Sequence, residues 1–124
     1  MSLTMLRELL DEGDMFISHH ALYISKLEKA IRNREEFAHK TCHGCSFGVK
    51  WDSMVVAIKG ELPEEVRALV EEIEKIHCEF HEVSMQIDPK NHQPSDEKKL
   101  NRMKELSTAL FQKLLALKRL VKEE

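Results

Sequence analysis

The chain has 124 residues, 42% of them hydrophobic and 33% charged, with a net charge of −3 and only four glycines and three prolines. This length corresponds to one domain, and so few turn-forming residues exclude an all-β sandwich. Acidic and basic residues are interleaved, so we expect no basic face for nucleic acid or for an anionic membrane. No apolar run reaches the roughly 20 residues of a membrane span, and no signal peptide is recognisable at the start of the sequence.

Apolar residues recur at steps of three and four along the first half of the chain, which predicts α-helix. A long pattern covers residues 14–33, with Asp14 as a candidate N-cap, and residues 2–12 form a separate turn or two before Gly13. Residues 34–46 form an irregular connection, since the periodicity fades there. A short second helix follows, from about Val49 to Lys59, and ends at Gly60.

Two longer helices are predicted in the second half of the chain. Pro63 lies in the first turn of one helix, which stops at Asp88. A loop reaches to Pro94, and Ser95 is the N-cap of a last helix whose apolar stripe continues to Val121. Wide apolar faces and short connections predict an all-α fold, a four-helix bundle with a short second helix.

This pattern divides the chain into two parts. Residues 1–13 are an N-terminal extension with helical character, and residues 14–124 are the helical bundle domain.

Three histidines are predicted to face the core of the bundle. His77 and His81 are four residues apart in a strong helical pattern, so both imidazoles lie on one helix face. His20 lies in the apolar stripe of the first long helix, whereas its neighbour His19 falls outside that stripe. A buried imidazole without a partner costs about 1–3 kcal/mol. Three converging rings can satisfy one another around a cation.

Cys45 is the fourth candidate ligand, just before the short helix. Three imidazoles and one thiolate form a tetrahedral donor set that suits Zn²⁺. The odd count of three cysteines, with no export signal, favours a reducing cytosol, where thiols are metal ligands or redox sites more often than structural disulfides. The predicted zinc ligands are His20, Cys45, His77 and His81.

The same residues resemble the chemoreceptor zinc-binding domain (CZB) family over about residues 14–122. The family pattern is a His with an aromatic residue three positions later, a Cys-x-hydrophobe-Gly box followed by an aromatic residue, and a final H-x-x-x-H. In this chain the corresponding residues are His20 and Tyr23, Cys45 and Gly48, His77 and His81. One position departs from the pattern: Lys50 stands where the family has a large apolar residue, and Trp51 follows it.

The resemblance implies a cytoplasmic four-helix domain with a regulatory role, its zinc held by the four residues named above. Such domains are attached to bacterial chemoreceptors, or to diguanylate cyclases that they inhibit when zinc is bound, and the cyclase-linked members are dimers. The expected partners are therefore a second copy of the chain and a chemoreceptor or diguanylate cyclase output domain, in cis or in trans. Some members respond to oxidants, and a zinc-bound thiolate stays nucleophilic. A redox response through Cys45 is accordingly a hypothesis.

A second zinc set remains open on the residues alone. Cys42 and Cys45 form a CxxC pair that could bind zinc together with His77 and His81. This set leaves His20 in the core without a metal. Of the other candidates, Cys78 is interpreted as a small packing residue, and the solvent-exposed loop histidines are His39, His43 and His92.

Two further classes of protein also remain open. Two Glu-x-x-His motifs, at Glu36 and at Glu74, match those of di-iron carboxylate bundles, with Glu105 as a candidate on the last helix. A hemerythrin-like carrier would need more histidines in line, and a metal-free helical interaction domain is the remaining alternative. We expect no enzymatic activity, because four protein ligands leave zinc no open position and no nucleotide or nucleophile motif is present.

Overall fold

A computed structural model describes the backbone of residues 2–123 and the side chains of residues 6–12 and 15–121. Within this range the chain folds into helices without a strand, which confirms the predicted all-α class. The five α-helices are α1 (Ser2–Asp11), α2 (Gly13–Asn33), α3 (Ser46–Met54), α4 (Glu64–Met85) and α5 (Asp96–Glu123). Two short 3₁₀ helices cover Val56–Glu61 and Pro89–Asn91.

The helices α1 and α2 are separated at Glu12 alone. Three leucines of α1 are buried in the core, namely Leu6, Leu9 and Leu10, and Nε of Arg7 donates to the carbonyl of Val121 over 2.8 Å. The predicted break near Gly13 therefore exists, but α2 begins at Gly13, so Asp14 is not its N-cap. The helix ends at Asn33, and its C-cap residue, Arg34, adopts the left-handed conformation with φ 53°.

The short helix α3 begins three residues earlier than the predicted Val49. Cys45 is its N-cap, and the Sγ atom of Cys45 accepts a hydrogen bond from the N–H of Gly48 at 3.3 Å. A thiol in the place of the usual N-cap oxygen gives little signal in the sequence, because Cys is not a preferred capping residue. After Met54 the chain tightens into a 3₁₀ helix that includes Gly60.

The helices α4 and α5 pack against each other along much of their length. Pro63 is the N-cap of α4, and Glu64 and Glu65 lie in its first turn, where the helix dipole favours negative charge. The helix α5 begins directly after Ser95, as predicted, and the N–H of Lys99 donates to the Ser95 carbonyl. None of the described helices combines the length and the apolar character that crossing a membrane would require.

The buried apolar side chains form two clusters with a polar layer between them. One cluster joins α1, the first part of α2, α3, the first 3₁₀ helix and parts of α4 and α5. The other joins the later part of α2 with the remainder of α4 and α5. Along α2, His20 lies between Phe16 of the first cluster and Ile24 of the second. Along α4, His77 has the same position between Ile73 and Phe80. The histidines thus lie at the level where the two apolar clusters meet.

Candidate metal centre

Four metal-ligand side chains converge in this polar layer, and we call them the inner cluster: His20, Cys45, His77 and His81. The helix α2 supplies His20, the N-cap of α3 supplies Cys45, and one face of α4 supplies the other two. One donor atom from each residue lies within 4.8 Å of those of the other three. The structure therefore brings together the four residues that the sequence pattern selected.

The members of the inner cluster touch one another directly. The Sγ atom of Cys45 is 3.2 Å from Nε2 of His77. The ring of His77 lies edge-on to the rings of His20 and His81, with centroids 5.0 and 4.9 Å apart. The spacing of four residues along α4 produces the second of these contacts, as the helical pattern predicted.

Two of the histidines have no hydrogen-bond partner. Both ring nitrogens of His20 and both of His81 are buried and unpaired, and the residues are 3% and 1% exposed. Buried polar groups in proteins are nearly always satisfied, and an orphaned one costs about 1–3 kcal/mol. A neutral imidazole has one N–H group and one nitrogen with a free lone pair. The two rings therefore present two orphaned lone pairs in one place, which indicates a site for a ligand that accepts them.

Burial determines the protonation of these groups. Desolvation, followed by the neighbouring imidazoles, lowers the pKa of His20 to about 4 and that of His77 to about 2. Desolvation also lowers the pKa of His81 to about 4. The same burial raises the pKa of the Cys45 thiol. At neutral pH the three imidazoles are therefore neutral, with lone pairs available to a cation, while the thiol carries a proton that a metal would displace.

Phe47 and Gly48 explain why the Cys45 segment reaches the inner cluster. The ring of Phe47 packs edge-on against His77, with centroids 4.7 Å apart, and stacks on Trp51. A Cβ atom at Gly48 would lie only 1.7 Å from the carbonyl oxygen of Cys42. Only glycine permits this approach of the loop to α3. The glycine in the Cys-x-hydrophobe-Gly box is therefore required by sterics.

Tyr23, the aromatic residue three positions after His20, supports the site from the other side. Its ring packs against His81 with centroids 5.2 Å apart. Its hydroxyl group lies 2.7 Å from Oγ of Ser84 and accepts a hydrogen bond from the backbone N–H of Lys40 at 3.3 Å. Tyr23 thus connects α2, α4 and the 34–45 connection around the site, a role that spacing alone did not reveal.

Lys50 stands where the Cys-x-hydrophobe-Gly pattern has a large apolar residue, and the direction in which α3 buries its side chains explains this difference. Trp51 is buried in the core, and its Nε1 donates to Oε2 of Glu74 at 2.9 Å. Lys50 is exposed, and its ammonium group pairs with Glu12 at 2.7 Å. The large apolar side chain thus enters the core from one position later in the helix.

The carboxylates of the di-iron alternative do not join the histidines. The side chain of Glu36 is 84% exposed and pairs with Lys90. Glu74 is engaged by Trp51 and Lys59, and Glu105 faces solvent beside Arg102. Within the described residues, the structure assembles no carboxylate-bridged site.

Two of the three cysteines are joined in a disulfide, Cys42–Cys78, and Cys45 alone is free. The interpretation of Cys78 as a packing residue is therefore wrong. The expectation that these thiols are more often ligands than disulfides also fails for this pair. Because Cys42 is bonded to Cys78, the alternative zinc set based on Cys42 and Cys45 is not available in this form of the protein.

Three of the four remaining histidines are exposed, and His39 is not. His43 and His92 are exposed, as predicted, and His19 is exposed beside the hydroxyl of Ser46. His39 differs from its prediction, since it is half-buried and its Nε2 donates to the carbonyl of Ile87 at 2.9 Å. This bond ties the 34–45 connection to the end of α4, a long-range contact without a sequence signal.

A pocket of about 610 Å³ connects the inner cluster with solvent. Its lining includes three residues of the inner cluster, His20, Cys45 and His81, together with Lys26 and Lys40. The pocket offers a route by which a metal ion or a small reagent reaches otherwise buried donors.

The inner cluster fits a metal ion in number, type and spacing of donors. Zinc bonds of about 2.0–2.3 Å in a tetrahedral shell place donors roughly 3.3–3.8 Å apart, so donors within 4.8 Å of one another require shifts of about 1 Å.

A scan against protein-family models and searches of curated proteins and of solved structures give no match for this chain.

Proposed function

We propose that this chain is a zinc-binding regulatory domain whose inner cluster holds one Zn²⁺ ion. The observation that carries this proposal is the set of four buried, unpaired nitrogens on His20 and His81, beside the contact of Cys45 with His77. Three neutral imidazoles and one thiol provide a nitrogen and sulfur donor set, which zinc accepts without redox chemistry of its own.

Zinc is favoured over harder cations by the donor types. Mg²⁺ and Ca²⁺ require oxygen ligands, and the inner cluster has none. Four protein ligands close a tetrahedral site, which is typical of structural or regulatory zinc rather than of a catalytic centre. We therefore assign the chain a binding role without enzymatic activity.

The regulatory role rests on where the ligands come from. The segments that carry His20, Cys45 and His77 are α2, the start of α3 and α4, so occupancy of the site couples three elements. Removal of the ion would leave buried polar groups unpaired and loosen these contacts. In line with the CZB resemblance, a second copy of the chain and a chemoreceptor or diguanylate cyclase output domain are the proposed partners, in bacterial chemotaxis or cyclic-di-GMP signalling in the cytoplasm.

A redox response through Cys45 forms part of this proposal. A zinc-bound thiolate stays deprotonated and nucleophilic, and Cys45 lines the pocket that reaches solvent. Oxidation of its sulfur would remove one ligand from the inner cluster. With the Cys42–Cys78 disulfide intact, a Cys45→Ser protein should therefore show no change in metal content when a mild oxidant is added, and a change in that variant would contradict the redox role.

Elemental analysis of the purified, disulfide-intact protein tests the proposal. We expect about one zinc per chain in the wild type and in His19→Ala, an exposed neighbour, and a sharp reduction in His20→Ala. Two irons per chain would replace the proposal with a carboxylate bundle. No metal after addition of zinc would leave a helical interaction domain, and full zinc retention in His20→Ala would move the site elsewhere.

A further inference from the structure

A second group of metal-ligand side chains lies on the outward side of α4. It consists of Cys42, His43 and Cys78, whose donor atoms lie within 4.8 Å of one another, and we call it the outer cluster. Cys42 and Cys78 are half-buried, and His43 is exposed. Neither the zinc proposal nor the CZB pattern uses any of these residues.

The outer cluster is built by the same local structure that presents Cys45. The loop turns at Thr41, whose carbonyl accepts the N–H groups of Gly44 and Cys45 at 3.0 and 3.3 Å. Cys42 therefore lies one turn away from Cys45, and Cys78 directly follows His77 on α4. A pocket of about 240 Å³, lined by Cys42, His43 and Cys78 among others, opens this pair to solvent.

His43 is oriented by a carboxylate, as metal-binding histidines usually are. Its Nδ1–H donates to Oδ2 of Asp52 at 2.7 Å, and Asp52 lies on α3. Such a bond fixes the ring and leaves the other nitrogen, Nε2, available to a metal. An imidazole, the carboxylate that orients it and two sulfurs thus lie together beside a pocket that opens to solvent.

We propose that Cys42 and Cys78 form a reversible dithiol/disulfide pair whose reduced form, together with His43, is a second zinc site. Two cysteine thiolates and one imidazole are ligands typical of zinc, and solvent completes the fourth position. The disulfide and the metal exclude each other, because the same two sulfur atoms take part in both. The proposal goes beyond the inner cluster and does not depend on it.

Reduction of the Cys42–Cys78 disulfide requires a thiol reductant such as glutathione. Two glutathione molecules supply two electrons and two protons, the Cys42–Cys78 bond breaks, and glutathione disulfide forms as the two cysteine thiols appear. Zinc then displaces the two thiol protons. In the reverse direction, glutathione disulfide takes two electrons from the two cysteine thiolates and two protons from solvent and becomes two glutathione thiols. The Cys42–Cys78 disulfide forms again, and the zinc ion is released.

Zinc titration of the disulfide form and of the reduced form, freed of reductant under anaerobic conditions, tests the proposal. We expect the reduced wild type to bind one more zinc per chain than the disulfide form. Cys42→Ser and Cys78→Ser should each lose this additional zinc, whereas Cys45→Ser should keep it. His43→Ala should weaken the additional site at least tenfold, and the exposed control His92→Ala should leave it unchanged.

Cobalt(II) provides a readout in the wild type, independent of how the variants fold. Absorption from thiolate-to-cobalt charge transfer grows with the number of thiolates, so the second equivalent in the reduced form should add about twice the intensity of the first. Equal metal content in the two redox forms would overturn the proposal, as would retention of the additional zinc in Cys42→Ser. If the inner cluster binds no zinc but the outer cluster does, the disulfide form binds none and the reduced form binds one. Failure of the proposed function can therefore be distinguished from failure of the proposal for the outer cluster.

Discussion

The inner and outer clusters share one turn of α4, yet their physical environments differ. His77 and His81 face the core, where desolvation dominates and both ring nitrogens of His81 are unpaired. Cys78, one residue beyond His77, faces a surface pocket and is bonded to Cys42. A rotation of about 100° between successive helix residues is sufficient to separate these environments.

The two clusters therefore carry different energetic costs without a metal. The inner cluster buries polar groups whose desolvation is not compensated by hydrogen bonds. A ligand that bound these groups would recover part of that free-energy cost. In the outer cluster a covalent bond joins the sulfurs, and His43 is satisfied by Asp52. Without a ligand the inner cluster therefore contains unpaired buried nitrogens, whereas in the outer cluster the disulfide joins the two sulfurs.

The largest expected effect comes from Gly48→Ala, which disturbs both clusters together. The new Cβ atom would meet the Cys42 carbonyl at 1.7 Å, so the loop that carries Cys42 and Cys45 must move. We expect a loss of roughly 3 kcal/mol or more in the free energy of unfolding, measured by urea denaturation. Gly60→Ala is the matched control, because no neighbouring atom lies within 4 Å of the point that a Cβ atom would occupy there; equal effects of the two changes would contradict the steric argument.

The next largest expected effect is the pH dependence of zinc binding to the inner cluster, measured in the disulfide form, in which the outer cluster cannot bind zinc. Between pH 5.5 and 7.5 the buried histidines, with pKa values of about 4 or lower, stay neutral in the folded protein, while burial raises the pKa of the Cys45 thiol and keeps it protonated. Zinc binding to the disulfide form should therefore release one proton. Affinity should fall about tenfold per unit of decreasing pH, or about a hundredfold over this range.

Calorimetry in buffers of different ionisation enthalpy measures that proton directly. Release of two or more protons at pH 6.5 would mean that the histidines are charged before zinc binds.

In the metal-free protein the same lowered histidine pKa values have a further consequence. The unfolded chain, with ordinary values near 6.5, binds more protons, so the free energy of unfolding should fall as the pH decreases from about 6.5 towards 4.

His20→Leu should have a smaller effect of opposite sign on the metal-free protein. The substitution removes two buried, unpaired nitrogens and keeps an apolar side chain of similar size. We expect the metal-free protein to gain about 1–2 kcal/mol of stability while it loses zinc binding. His43→Leu is the comparison in the outer cluster, and it should give no gain, because His43 is exposed and paired. A destabilised metal-free His20→Leu protein would show that His20 is satisfied without metal.

The smallest expected effect is that of Tyr23→Phe. It removes the hydroxyl that contacts Ser84 and Lys40 but keeps the ring against His81. We expect a loss of about 1 kcal/mol in thermal or urea unfolding, with zinc stoichiometry unchanged. Ser53→Ala, which removes an exposed hydroxyl, should change stability by less than about 0.5 kcal/mol. A loss of zinc in Tyr23→Phe would instead place the hydroxyl in the support of the site.

The sequence by itself determined the helices and the direction of the inner histidines. Periodicity of three and four residues placed His20 and His77 on buried faces, because a helix repeats its orientation over such steps. Local rules of this kind need no knowledge of distant residues. The start of α3 differs from the prediction because a thiol caps the helix.

Only the tertiary structure decided what the irregular connection does. The Cys42–Cys78 bond joins residues 36 positions apart, and the contact of Gly48 with Cys42 depends on how the loop folds back on α3. Residues 34–45 have no periodicity, so their contacts follow from the packing of α2, α3 and α4 rather than from local preference. The sequence therefore indicated which residues could bind a metal, whereas folding separated them into a buried cluster and an exposed one.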